Sequence, residues 1–105
     1  MAPEKRRHPR LPIALDVFLE YPPLGMLRGT TRNVSLEGMF VETGHFTVPR
    51  GATVQVALPL ERGLAGTYRF RARVVHSRPG GVGLVLHSAE IAAMRALDRW
   101  LRAAA

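Results

Sequence analysis

The chain has no cysteine in its 105 residues, so a disulfide framework and thiolate chemistry are both excluded. Acidic residues are scarce. Eight carboxylates stand against fifteen basic side chains, a formal charge of +7, and no two acids pair in an apolar setting that would raise a carboxyl pKa for acid–base work. Lysine is almost missing: Lys5 is the only one, and no Walker lysine motif or G-x-G-x-x-G occurs. There is no long apolar run. "LPIALDVFLEYPP" is interrupted by Asp16 and Glu20, and the basic N-terminus is not followed by a signal-peptide core. A cytoplasmic protein without membrane insertion is expected. Aromatics number only seven, most of them at core-like positions, which weighs against a base-stacking platform for single-stranded nucleic acid.

Histidine offers no metal site either. His8, His45, His76 and His87 are scattered, without the short spacings of zinc ligands. Ser35 lies in "NVSLEGMF", which is not the G-x-S-x-G of a nucleophile elbow. "NVS" matches a glycosylation sequon, but no secretion signal accompanies it. The chain reads as non-enzymatic, with no metal and no cofactor.

What is present suits one small domain, with 47% hydrophobic residues. "IALDVFLEY" alternates, with Ile13, Leu15, Val17, Leu19 and Tyr21 on one face. "MLRGTTRNV", "GMFVET" and "ATVQVALPL" follow as strands, separated by "NVSLEG" and "VPRG". "TYRFRARVVH" is the longest alternating run, with Tyr68, Phe70, Ala72 and Val74 opposed to Arg69, Arg71 and Arg73. "SRPGG" turns the chain into "VGLVLH". The period then changes: Ile91, Met94, Leu97 and Leu101 recur at helical steps, with Ser88 as the expected N-cap, Glu90 in the first turn and Trp100 against the sheet. The expected fold is mainly β: a six-stranded antiparallel small β-barrel over 13–105, with a C-terminal helix at about 88–104 and a flexible basic arm over 1–12. Closing the strands into a barrel removes exposed edges.

Two stretches stand out. In "KRRHPR", Arg6 and Arg10 are four apart, and Pro9 and Pro12 favour an extended backbone. Two guanidiniums so placed can grip two parts of one ligand, since arginine binds phosphate and guanine bidentately and stacks on bases. A solvated basic tail has the same composition. In "NVSLEG", Asn33 offers a donor and an acceptor, Ser35 a hydroxyl, and Gly38 a backbone free of a side chain. On an extended backbone Asn33 and Ser35 would point the same way. A turn held by Asx-type bonds, with Gly38 in a bulge, is the commoner reading of such residues. A ligand with purines and phosphates would satisfy arm and turn together. The Arg69, Arg71, Arg73 stripe is either a solvated face or a docking surface for an acidic protein or nucleic acid.

Taken together, these residues resemble the PilZ domain family. "RRHPR" matches its R-x-x-x-R motif and "NVSLEG" its [D/N]-x-S-x-x-G motif, in the right order, and "GVGLVL" before a terminal helix is similar to the family's last strand. The resemblance implies a non-catalytic bacterial receptor for cyclic di-GMP, with Arg6 and Arg10 on guanine and phosphate. Asn33, Ser35 and Gly38 would then surround the other guanine, with Lys5 and Arg7 as possible accessories. It further implies an arm that orders on binding and signals through a protein partner or self-association. A small basic barrel binding nucleic acid and a ligandless interaction module are the alternatives.

Overall fold

The computed structural model describes residues 10–88 and 90–104. Lys5, Arg6 and Arg7 lie outside the described residues. Six strands close into one antiparallel barrel: β1 (Asp16–Tyr21), β2 (Gly25–Val34), β3 (Gly38–Glu42), β4 (Thr53–Pro59), β5 (Thr67–Arg78) and β6 (Gly81–Ser88), in the spatial order β1-β2-β3-β6-β5-β4. Pairing of β1 with β4 closes the wall. A helix, α1 (Ile91–Ala104), follows.

Strand phase explains the core. In β5 the alternation puts Phe70, Ala72 and Val74 inside and Arg69, Arg71 and Arg73 outside, as expected from period two. Val17 and Leu19 of β1, Val54, Val56 and Leu58 of β4, and Val82 and Leu84 of β6 complete the interior. Ala93, Ala96 and Leu97 add one face of α1 to the same cluster, and Trp100 and Leu101 pack against it half-buried.

The turns follow their residues. Tyr21↔Gly25 closes the first hairpin over Pro22, Pro23 and Leu24. Pro79 and Gly80 join β5 to β6, and the φ of +86° at Gly80 is one that an L side chain rarely adopts.

Two boundaries differ from expectation. β1 begins at Asp16, not Ile13, because residues 13–15 bond to the Thr31 side chain as well as to its backbone. Ser88 is not the helix N-cap. It ends β6 opposite Arg71, and Glu90, whose carbonyl accepts from the Met94 N–H, takes the position before the helix. Ladder pairing with β5 has overridden a local capping preference. The helix is tied back to the barrel by Glu61, which accepts from the Tyr68 hydroxyl at 2.9 Å and from Arg99 at 3.1 Å. Those two hydrogen bonds, Tyr68 first, hold the Glu61 carboxyl below its usual range.

Candidate functional site

The chain enters the barrel at Leu11, which forms an isolated antiparallel bridge with Val34. The Leu11 N–H donates to the Val34 carbonyl at 2.9 Å, and the Val34 N–H donates back to Leu11 at 3.0 Å. This register carries Arg10 toward Ser35 and Pro12 toward Asn33. Arg10 and the Asn33–Gly38 stretch, far apart in sequence, are thus brought to the same end of β2. Arg10 is half-buried there.

Thr31 makes the junction. Its hydroxyl donates to the Ile13 carbonyl at 2.6 Å and accepts from the Leu15 N–H at 2.9 Å, while its own N–H donates to the Leu15 carbonyl. Thr31 is 2% exposed, so these bonds satisfy a buried polar group. Sequence reading passed over it as an ordinary strand residue. The available signal was its phase: Leu27 and Thr31 are both buried, four apart, so Thr31 is a hydroxyl on the apolar face. Thr31→Val keeps the shape and removes the bonds. It is expected to cost about 1–3 kcal/mol and to raise hydrogen exchange at Leu15 above that of the β4 amides. Unchanged exchange at Leu15 would show that the entry segment is held by other means.

A β-bulge sets the direction of Asn33. Thr31 pairs with Val41 and Asn33 with Phe40, so Arg32 is an extra residue in β2. The bulge shifts the phase, and Val34, three after Thr31, is buried. Asn33 Oδ1 is buried and has no hydrogen-bond partner among the described residues. A buried amide oxygen without a partner carries a free-energy cost that a donor would remove. Opposite Asn33, the Phe40 ring faces the guanidiniums of Arg78 and Arg32 at 4.7 and 5.6 Å from its centroid. Neither arginine nor Phe40 was singled out from the sequence, because their meeting depends on strand pairing.

The turn after β2 is fixed from within. The Ser35 hydroxyl accepts from the N–H groups of Glu37 at 3.1 Å and Gly38 at 3.2 Å and donates to the Gly38 carbonyl. The Ser35 N–H also donates to that carbonyl, at 2.8 Å. Ser35 is 0% exposed, so its side chain is aimed at the turn and does not run parallel to Asn33 as a straight extended backbone would require. Gly38 has a packing reason: a Cβ there would lie 1.9 Å from the Leu84 carbonyl oxygen on β6. The Leu86 N–H donates to the Glu37 carbonyl and anchors the turn to that strand. The arrangement presents Arg10, Asn33 and a rigid turn along one edge of the barrel. Among the described residues no cluster of three metal-ligating side chains occurs, and no helix is long and apolar enough to cross a membrane.

A closed six-stranded barrel with a C-terminal helix, its chain entering beside an N-x-S-x-x-G turn, defines a class of small β-barrel domain. The PilZ domain family model matches residues 4–103, and the chain belongs to that family. Several solved structures share the fold. The PilZ domain of CeSA from a cellulose-synthesizing bacterium is 14% identical, with a TM-score of 0.73 over 91% of this chain and 97% of that one. The PilZ domain of YcgR from Escherichia coli, solved with c-di-GMP, is 15% identical, with a TM-score of 0.76 over 95% and 91%. The inhibitor of motility MotI from Bacillus subtilis is 17% identical, with a TM-score of 0.77 over 96% of this chain but 52% of its own. The search of curated proteins returns no match.

Proposed function

We propose that this PilZ domain is a non-catalytic receptor for cyclic di-GMP. The observation that supports the reading is the Leu11–Val34 bridge, whose register brings Arg10 beside the end of β2, where Asn33 and Ser35 flank Val34. In the proposed complex Arg6 and Arg10 contact guanine and phosphate. Asn33 uses its unpartnered Oδ1 to accept from the other guanine. Ser35 and Gly38 act through the turn, Ser35 by its internal hydrogen bonds and Gly38 by letting β6 approach. Lys5 and Arg7 add attraction for a dianion. The arm expected over 1–12 is shorter at its inner end, because Leu11 is already paired with Val34; in the proposed complex the chain ahead of Arg10 orders against the barrel and presents a new surface to a protein partner or a second copy.

Calorimetric titration with cyclic di-GMP tests this. Arg10→Ala and Asn33→Ala are each expected to weaken binding more than about tenfold, as befits the loss of a charge-assisted hydrogen bond or of a buried pairing. Both variants should melt within a few degrees of the wild type. Absence of heat from the wild type at saturating ligand would refute the proposal.

A further inference from the structure

A shallow groove of about 520 Å³ crosses the outer face of β5 and β6, lined by Arg50, Gly51, Arg73, Val75, Val85 and His87. A second hollow of about 440 Å³ shares Gly51, Arg73 and His87 with it and continues to Thr53 and Arg71.

Two β-bulges shape the groove. Between the Val74↔Leu84 and His76↔Gly83 pairs, Val75 is an extra residue of β5. Between Ala72↔Leu86 and Arg71↔Ser88, His87 is an extra residue of β6. Both extra residues are exposed, and both line the groove. Bulges bend a strand and re-aim side chains, so the wall here departs from a smooth convex barrel.

The charge of this face is one-sided. Arg69 reaches Glu20 at 3.9 Å, but Arg50, Arg71 and Arg73 form no ion pair among the described residues. Their cross-strand neighbours bring no acid: Thr53 and Val85 pair with Arg73, and Gln55 and Ser88 with Arg71. Arg71 and Arg73 are two residues apart on one strand face, roughly 6.8 Å. Like charges so close, without an interspersed carboxylate, repel each other, and a bound anion removes that cost. Guanidinium forks, with the Thr53 hydroxyl and the His87 imidazole beside them, match the oxygens of a phosphate.

The groove is also next to the site already described. Gly38 pairs with Val85, Val85 with Arg73 and Arg73 with Thr53, a single row across the wall. At about 4.8 Å per strand, Arg73 stands roughly 10 Å from Gly38. A ligand with two phosphates spans that distance.

We infer that Arg71, Arg73 and His87, with Arg50 at the rim, form a phosphodiester subsite contiguous with the arm and the turn. It takes a phosphate of the bound cyclic dinucleotide. The inference rests on the cyclic di-GMP reading above. The test is a titration of cyclic di-GMP into the full chain, comparing wild type, Arg71→Ala/Arg73→Ala and Arg95→Ala/Arg102→Ala. The third protein loses the same charge from α1. The groove variant is expected to lose at least tenfold in affinity at an unchanged melting temperature, and the helix variant less than twofold. Equal losses in both variants would reduce the effect to net charge and overturn the subsite. Wild-type binding with an unaffected groove variant overturns the subsite alone, whereas a wild type that binds nothing overturns the receptor reading beneath it. Capture of a labelled single-stranded oligonucleotide that depends on the groove, with cyclic di-GMP binding unaltered, assigns the face to a nucleic-acid strand and also overturns the subsite.

Discussion

Gly38→Ala is expected to destabilise the barrel by about 3 kcal/mol, at or beyond the upper end of ordinary overpacking costs. The added Cβ would sit 1.9 Å from the Leu84 carbonyl oxygen and 3.2 Å from the Val85 Cα. Those atoms are main chain, so no rotamer change relieves the clash. β3 and β6 must separate, which strains the Met39↔Leu84 and Gly38↔Val85 pairs and the bond from Leu86 to Glu37. A chain of this size loses roughly 4–8 °C in melting temperature per kcal/mol, so a drop of about 12–24 °C should appear in thermal unfolding. Faster hydrogen exchange at Leu86 should accompany it. The variant also separates two roles for this glycine. A residue kept only to admit ligand would change affinity and leave the melting temperature alone; the packing described here changes both, because the turn moves. A melting temperature within 2 °C of wild type would contradict the packing account.

Phe70→Ala should be as costly by the opposite mechanism. Phe70 is among the largest fully buried side chains, 0% exposed, on the inner face of β5 opposite Val56. Truncation removes a ring from the centre of a single core, and comparable substitutions cost about 3–5 kcal/mol through lost burial and the cavity left behind. Denaturant unfolding should show a lower midpoint with an unchanged slope. The cyclic di-GMP binding proposed above should survive in the folded fraction, since Phe70 is fully buried and is not one of the residues proposed to touch ligand. A cost below 1 kcal/mol would mean that β4 and β5 collapse onto the gap.

Much of the barrel was legible because strand alternation and turn residues are local signals. The alternation of "TYRFRARVVH" fixed the inner and outer faces of β5, and the prolines and glycines of "YPPLG" and "SRPGG" marked the hairpins. The two candidate segments were legible as motifs. The placing of Arg10 beside the second was not, because the Leu11–Val34 bridge spans 23 residues and is decided by the closed wall. The bulges at Arg32, Val75 and His87 escaped for the same reason: an extra residue is defined only against its partner strand. Ser35 illustrates the limit of face-counting. On a straight extended backbone it would point alongside Asn33; the other reading of the same residues, a turn held by side-chain bonds to nearby backbone, is the one its hydroxyl bears out. The helix start shows the same competition at Ser88, where a strand partner outweighed a cap.

The Leu11–Val34 bridge has a mechanical meaning. It is a fulcrum made of two hydrogen bonds, 2.9 and 3.0 Å long, braced one step away by the Thr31 hydroxyl. Force transmitted through Arg10 meets the barrel wall at this point, one residue from Asn33 on one side and one from Ser35 on the other. The lever is short, so a pull through Arg10 and a contact made at the turn act on the same few atoms. Whatever is joined to that end of the domain shares its point of attachment with the recognition turn.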